Sequence, residues 1–425
     1  MPTLLSRAFK MAFTSGFFVL HCFWWTPNAT AQVTKADAQP DFRWLNGANY
    51  QQSSPLKMGP LTWTLLIDTY YGFAFNRPAD HTIFPTTTAP RHNEFNLNLG
   101  LIGLEVTDQD GLFGKLLFQA GNYVDTITGT DATTRRGAYS SLNSLRHVQQ
   151  AYAGHHFPGL WGLNVLAGIF PAYIGLDSYI PQENWNYTHN LLSDFTPYYL
   201  TGVMGQLYPS PELKTEVWLV NGWQSLSKYG EGMGMGYSVN WRPSDRLSLT
   251  HNLLAGNFES DQTRARWYTD SNFQWKYVQN PWPGIDHFAV AGVVDVGYNT
   301  ASALSTGLPA TWLGGAALLH RIEFNPHWAS AMRGSIYSDP QGLVALSPPG
   351  GNQMQTGLIA SEWTLTLDYR PSAWMLYRLE YRRDMANVPY IAGPGGITAP
   401  DGVREFKPDF RMAGDRLTAN ATLRF

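Results

Sequence analysis

Leu417-Thr418-Ala419-Asn420-Ala421-Thr422-Leu423-Arg424-Phe425 is the stretch on which the reading of the fold turns. Successive side chains of a strand point to opposite sides, so Leu417, Ala419, Ala421, Leu423 and Phe425 share one face and Thr418, Asn420, Thr422 and Arg424 the other. A strand with an apolar face toward lipid, a polar face toward water and a terminal aromatic residue suits the closing strand of a transmembrane barrel. An edge strand of a soluble sheet alternates equally well, so the rest of the chain must decide.

The same period recurs upstream. Leu61, Trp63, Leu65, Ile67, Tyr71, Phe73 and Phe75 oppose Thr62, Thr64, Asp68, Tyr70, Gly72 and Asn76, and this alternation is longer than an ordinary soluble strand. A second run sets Phe95, Leu97, Leu99 and Leu101 against Asn96, Asn98 and Gly100. Short links carry proline after an aromatic strand end: Phe157-Pro158, Tyr208-Pro209, Trp241-Arg242-Pro243, Phe324-Asn325-Pro326 and Tyr369-Arg370-Pro371. Proline presets a turn and cannot continue a ladder. Between these links lie long polar or Gly/Pro-rich connections, 124–144, 171–197, 339–356 and 385–410. Brief turns on one side and extended loops on the other predict an antiparallel transmembrane β-barrel of about 16 strands over residues 60–425.

Composition agrees. Among 425 residues 14% are charged, against roughly 25% in soluble domains, while 14% are aromatic and there are 40 Gly and 27 Pro. This suits many strands joined by turns with rings for two membrane interfaces. A net charge of −3 gives no reason to expect a nucleic-acid partner. Residues 1–31 read as a signal peptide, with Arg7 and Lys10 before an apolar core from Met11 to Trp25 and Ala29-Thr30-Ala31 as the cleavage site. Residues 32–59 read as a periplasmic N-terminal extension from which Trp44 and Leu45 can tuck into the barrel. The single cysteine, Cys22, falls in the signal, so the mature chain has no disulfide framework and no thiol metal site. A soluble sandwich or propeller would also alternate, but needs neither the export signal nor the alternation of short and long links.

Setting strand phase by the apolar faces turns the charges inward. Trp363, Leu365, Leu367 and Tyr369 face lipid, leaving Glu362, Asp368 and Arg370 inside; Tyr377, Leu379 and Tyr381 do the same for Arg378, Glu380 and Arg382. Asp68, Lys115, Glu216, Arg242, Asp295, Arg321, Glu323 and Arg333 join this lumen set by the same argument. A charge facing hydrocarbon at mid-depth costs about 2–4 kcal/mol, so this phase is required. The expectation is a wet lumen whose charges bias which solutes pass. Cross-strand pairs filling a plugged interior would present the same residues.

The connection 171–197 is the candidate constriction. It carries Asp177, Glu183, Asn184, Trp185, Asn186, Tyr187, His189 and Asp194, and folded inward its carboxylates would face the arginines of the distant wall. An ordinary external loop would carry the same residues.

Here the chain resembles a known family. Ile169-Phe170-Pro171, Asn184-Trp185-Asn186-Tyr187-Thr188-His189, Ser193-Asp194-Phe195-Thr196-Pro197-Tyr198-Tyr199 and Trp218-Leu219-Val220-Asn221-Gly222-Trp223 are similar to the OmpL-like β-barrel porins of Gram-negative bacteria. So are Trp44-Leu45-Asn46-Gly47 and Pro90-Arg91-His92-Asn93-Glu94-Phe95. The resemblance implies an outer-membrane barrel and passive transport, and supplies no substrate.

No G-x-S-x-G, H-E-x-x-H, P-loop or dinucleotide motif occurs. His92, His147, His251 and His320 have hydroxyl residues nearby, yet no spacing marks one as catalytic. The expectation is therefore a porin for small hydrophilic solutes or ions, with no cofactor or metal. The alternative is a closed barrel acting as adhesin, enzyme or scaffold through its outer loops. Expected partners are outer-membrane lipid and, through Phe425, the barrel assembly machinery; a homotrimer is compatible with sixteen strands.

Overall fold

Each alternating segment lies antiparallel beside the one before it, and the last pairs with the first. In the computed structural model the strands are β1 (Leu61–Ala74), β2 (Glu94–Thr107), β3 (Leu112–Ala120), β4 (Val148–Phe157), β5 (Leu163–Pro171), β6 (Tyr199–Ser210), β7 (Leu213–Val220) and β8 (Gly234–Ser244). They continue as β9 (Leu247–Gly256), β10 (Arg266–Trp282), β11 (Ile285–Asn299), β12 (Thr311–Asn325), β13 (Trp328–Asp339), β14 (Leu358–Ser372), β15 (Met375–Ala386) and β16 (Ala413–Arg424). The barrel closes where β16 pairs with β1, from Arg416 opposite Ala74 to Arg424 opposite Leu66. Phe425 extends the seam by exchanging both backbone hydrogen bonds with Leu65. A two-residue strand, Lys57–Met58, pairs with the start of β1.

The structure describes residues 42–47, 55–108, 110–129, 131, 133, 142–228, 232–258, 261–304, 307–345, 357–395 and 409–425, all within the unit Asp41–Phe425. The expected signal peptide and most of the 32–59 extension lie outside them. No described helix is long and apolar enough to cross a membrane.

Links alternate as expected: β10 and β11 are joined by Pro283-Gly284 alone, with Gly284 at φ +88°, a conformation that proline before it and glycine at it make cheap. On β14, Trp363, Leu365, Leu367 and Tyr369 are exposed, while Glu362, Thr364, Thr366 and Asp368 are at most 2% exposed. This inside-out distribution belongs to a barrel whose solvent is lipid. A Leu365→Lys substitution, mid-strand on that outer face, should lower the unfolding free energy by about 2–4 kcal/mol in urea titrations of the vesicle-inserted barrel.

One phase expectation is corrected. Asp68 pairs with Leu99 and Thr69 with Leu97, so Asn98 is an extra residue, a β-bulge in β2. The bulge flips the parity: Phe95 points out, but Leu99 and Leu101 point inward and are buried. Asn98 holds the kink by donating to Asp68 (2.8 Å) and accepting from the Ala89 N–H (3.0 Å). The inward leucines pack with Leu66 and Leu117 against Tyr123, Val124 and Ile127 of the short helix α1 (Asn122–Thr128). The interior is therefore partly apolar.

Candidate functional site: the inward loop and its charged wall

Between β5 and β6 the connection 172–198 turns into the barrel. Its sequence requires cover, since Ile174, Ile180, Leu191, Leu192 and Phe195 would otherwise meet water. All five are buried. Those of the second half seat against a wall of small or short side chains, among them Ala289, Ala291, Val293 and Ala317, which leaves room for a loop at lumen depth. Leu191–Phe195 forms one helical turn, started by Asn190 accepting from the Ser193 N–H (3.0 Å). Its apolar residues, rather than its acidic ones, bring the loop inside.

The loop tip is clamped by charges from β12 to β15. Glu380 accepts from the Tyr187 N–H (2.6 Å), the Thr188 N–H (3.0 Å), the Thr188 hydroxyl (2.6 Å) and the Thr366 hydroxyl (2.7 Å). Arg333 donates to the carbonyls of Thr188 (2.6 Å) and His189 (3.1 Å), and Arg382 to that of His189 (2.5 Å). Lower on the wall, Arg378 donates to Pro181 O (3.0 Å) and Asn184 O (2.6 Å), and Arg321 to Trp185 O (3.4 Å). Asn186 donates to the Thr366 hydroxyl (2.7 Å). The wall carboxylates complete the charge balance: Asp368 binds Arg321 and Arg378, Glu362 binds Arg333, and Glu323 binds Arg321 and Arg370.

This arrangement differs from the expected field across an open gap. The wall charges Arg321, Glu323, Arg333, Glu362, Asp368, Arg378, Glu380 and Arg382 are at most 3% exposed because the loop lies directly upon them. Besides the ion pairs within the wall, Arg321, Arg333, Arg378, Arg382 and Glu380 bond backbone carbonyls and amides of the loop, which no side-chain count reveals. Of the loop carboxylates only Asp194 approaches a wall arginine, at 3.9 Å from Arg382; it also accepts from Thr87 (2.5 Å) and Tyr198 (3.0 Å). Glu183 pairs with Arg424 of β16 (2.6 Å), and Asp177 accepts from the Asn190 backbone and side-chain amides (2.8 and 2.7 Å). His189 donates from Nε2 to the Ser178 carbonyl (2.9 Å), and its Nδ1 is hydrogen-bonded to the Thr88 hydroxyl (2.9 Å). Burial, reinforced by the neighbouring Asp68 carboxylate, pushes the Tyr187 hydroxyl well above its ordinary range and keeps it a donor to Asp68 (3.1 Å).

The remaining lumen residues also point inward. Asp68 collects Asn98, Tyr187, Asn420 and Thr422; Glu216 meets Lys214 (2.9 Å), Gln206 (2.8 Å) and Trp218 (3.1 Å); Asp295 accepts from Tyr268 (2.9 Å). Lys115, half-buried, lies 3.4 Å from Glu105, and Arg242 sits over the Phe42 ring.

A second inserted piece braces the loop from the turn side. Trp44 is buried and donates to Asp245 O (2.7 Å), Gln274 donates to Leu45 O (3.0 Å), Trp185 donates to Trp44 O (3.2 Å), and the Gly47 N–H donates to Glu183 O (2.8 Å). Gly47 is there because a Cβ would collide with the Asn184 carbonyl oxygen and the Arg378 guanidinium. Gly47→Ala should therefore lower the thermal unfolding midpoint, while Gly205→Ala, where a Cβ meets nothing within 4 Å, should leave it unchanged.

Residues 60–412 match the family described as "Putative beta-barrel porin-2, OmpL-like". The chain belongs to this family. It is an outer-membrane porin of bacteria. Among solved structures, the porin is similar to an anion-selective porin from Comamonas acidovorans (10% identity, TM-score 0.51, covering 86% of this chain and 99% of that one). It is similar to the same degree to the outer membrane channel DcaP of Acinetobacter baumannii and to Salmonella typhi OmpF in complex with daunomycin (each 12% identity, TM-score 0.51, 86% and 97% covered). At such identities the likeness is one of fold. Among curated proteins no significant sequence match was found.

Within the porin, the loop, the N-terminal segment and the wall border a partly open cavity of about 290 Å³ lined by Phe42, Asp177, Glu183, Trp185, Arg242 and Gln274 among others.

Proposed function

We propose that this porin passes small hydrophilic solutes or ions by passive diffusion, with the loop 172–198 as its constriction. The observation that carries the reading is the asymmetry of the interior: the β12–β15 charges are sealed beneath the loop, whereas Lys115 and Lys214 on β3 and β7 remain 22% and 33% exposed. Solutes then follow the β3–β9 side, past Arg242 and the cavity under the loop. Purified protein refolded into planar bilayers is expected to give stepwise conductance, and folded protein that never conducts would sink the proposal. Family and fold point to a channel rather than an enzyme, and the reading invokes no cofactor, metal or nucleic acid.

The burial of the wall charges also favours a second reading, a closed barrel working as adhesin, enzyme or scaffold through its outer loops. Silence both of the native protein and of a variant with the loop released would support it. In either reading residues 1–31 direct export and lipid surrounds the strands. Phe425, paired with Leu65 and 5.4 Å from the Trp374 ring, is offered to the barrel assembly machinery. A homotrimer is consistent with this reading, and cross-linking in native membranes tests it.

A further inference from the structure

Among the described residues, the cavity under the loop is lined by one cation, Arg242, and one anion, Asp177, that no ion pair neutralises. The wall arginines Arg321, Arg333, Arg370, Arg378 and Arg382 each hold a carboxylate. Arg242 holds none among the described residues: its guanidinium stacks at 5.0 Å on the Phe42 ring, and its Nε is buried without a hydrogen-bond partner. Stacking occupies a face of the guanidinium and leaves its N–H edge for a planar acceptor. On the loop side, Asp177 makes no ion pair among the described residues: its carboxylate accepts from the two Asn190 amides, and its backbone N–H donates to the Ser193 hydroxyl (3.4 Å). Glu183, the other acid of the lining, is already matched by Arg424.

We propose that this cavity is a solute subsite for small zwitterions of the amino-acid class, carboxylate toward Arg242 and ammonium toward Asp177. A simple anion entering would gain Arg242 but meet the field of Asp177, and a simple cation the reverse; a solute bearing both charges satisfies both. Gln274, Asn184 and Ser178 supply further polar groups, and Leu176 and Trp185 an apolar wall for the carbon chain. A volume of about 290 Å³ stands at the small end of the ligand-pocket range of about 300–1,000 Å³. The inference deepens the porin reading, because such a subsite lies on the solute path described above.

Isothermal titration of the folded barrel in detergent tests it without requiring current. The probes are glycine, 4-aminobutyrate and 6-aminohexanoate, with acetate and methylammonium as singly charged controls. At least one zwitterion is expected to bind about tenfold more tightly than either control, and Arg242→Ala and Asp177→Asn should each weaken it about tenfold. Asp177→Asn keeps an acceptor for Asn190, and Arg242→Lys keeps the charge without the fork, so a misfolded loop is distinguishable from a lost contact. Acetate binding as tightly as every zwitterion, no binding at all, or binding unchanged in both charge-removing variants would overturn the proposal. Conductance recorded in parallel separates the two claims: current without zwitterion binding refutes the subsite alone, and binding without current refutes the diffusion reading alone.

Discussion

Glu380→Ala should raise single-channel conductance severalfold and admit larger sugars in liposome-swelling assays. The carboxylate of Glu380 is 1% exposed and accepts four hydrogen bonds, three of them from Tyr187 and Thr188 at the tip of the inward loop. Removing it leaves those donors buried without an acceptor, at roughly 1–3 kcal/mol for each. Arg333 and Arg382 still hold the Thr188 and His189 carbonyls, yet nothing then balances the two amide dipoles that Glu380 received. The loop gains more by hydrating than by staying. Glu380→Gln, which keeps an oxygen but turns an amide N–H₂ toward one of the donors, should fall between the native protein and Glu380→Ala. Unchanged conductance in a variant that still migrates as a folded barrel would contradict the clamp.

Arg378→Ala should cost more stability than any other single change in the wall, about 3–5 kcal/mol for a buried charge pair broken from one side. Arg378 joins three parts of the structure. It bonds Asp368 on the wall (3.0 Å), the carbonyls of Pro181 and Asn184 on the loop, and that of Gly47 in the N-terminal segment (3.4 Å). Its loss leaves Asp368 with Arg321 alone (3.1 Å). Urea unfolding of the single and double variants with Asp368→Asn measures the coupling: the double variant should be less destabilised than the two single changes added together. Strict additivity would show that the pair does not act as a unit.

Much of the barrel was legible in the sequence because lipid imposes a two-residue period that nothing else in a soluble protein demands over such lengths. Phase then followed from residues such as Trp363 and Leu367, and with it the inward position of Glu362, Asp368 and Arg378. It failed at Leu99 and Leu101, where a single extra residue, Asn98, reverses the sides of the strand. A bulge is set by a hydrogen bond to Asp68 from far along the chain and leaves no local trace. For the loop, the acids Asp177, Glu183 and Asp194 were visible, but the contacts that seat it run from arginines and Glu380 to peptide groups, which every residue has. Ile174, Leu191, Leu192 and Phe195 were the available signal: an exterior loop does not carry so many apolar side chains. The N-terminal segment was legible only as Trp44 and Leu45, large apolar residues in a polar stretch.

The inward loop leaves the chain near its middle and is fastened by residues that arrive much later, Arg321 at a separation of 136 residues from Trp185 and Arg424 at 241 from Glu183. Contacts so distant in sequence form late, since loop closure must precede them. Until β12 to β16 have inserted, the half-built cylinder offers the loop its early contacts, Asp68, Thr87 and Thr88, but none of the charged wall that clamps its tip. The stopper of this vessel can therefore be set only after its staves are joined.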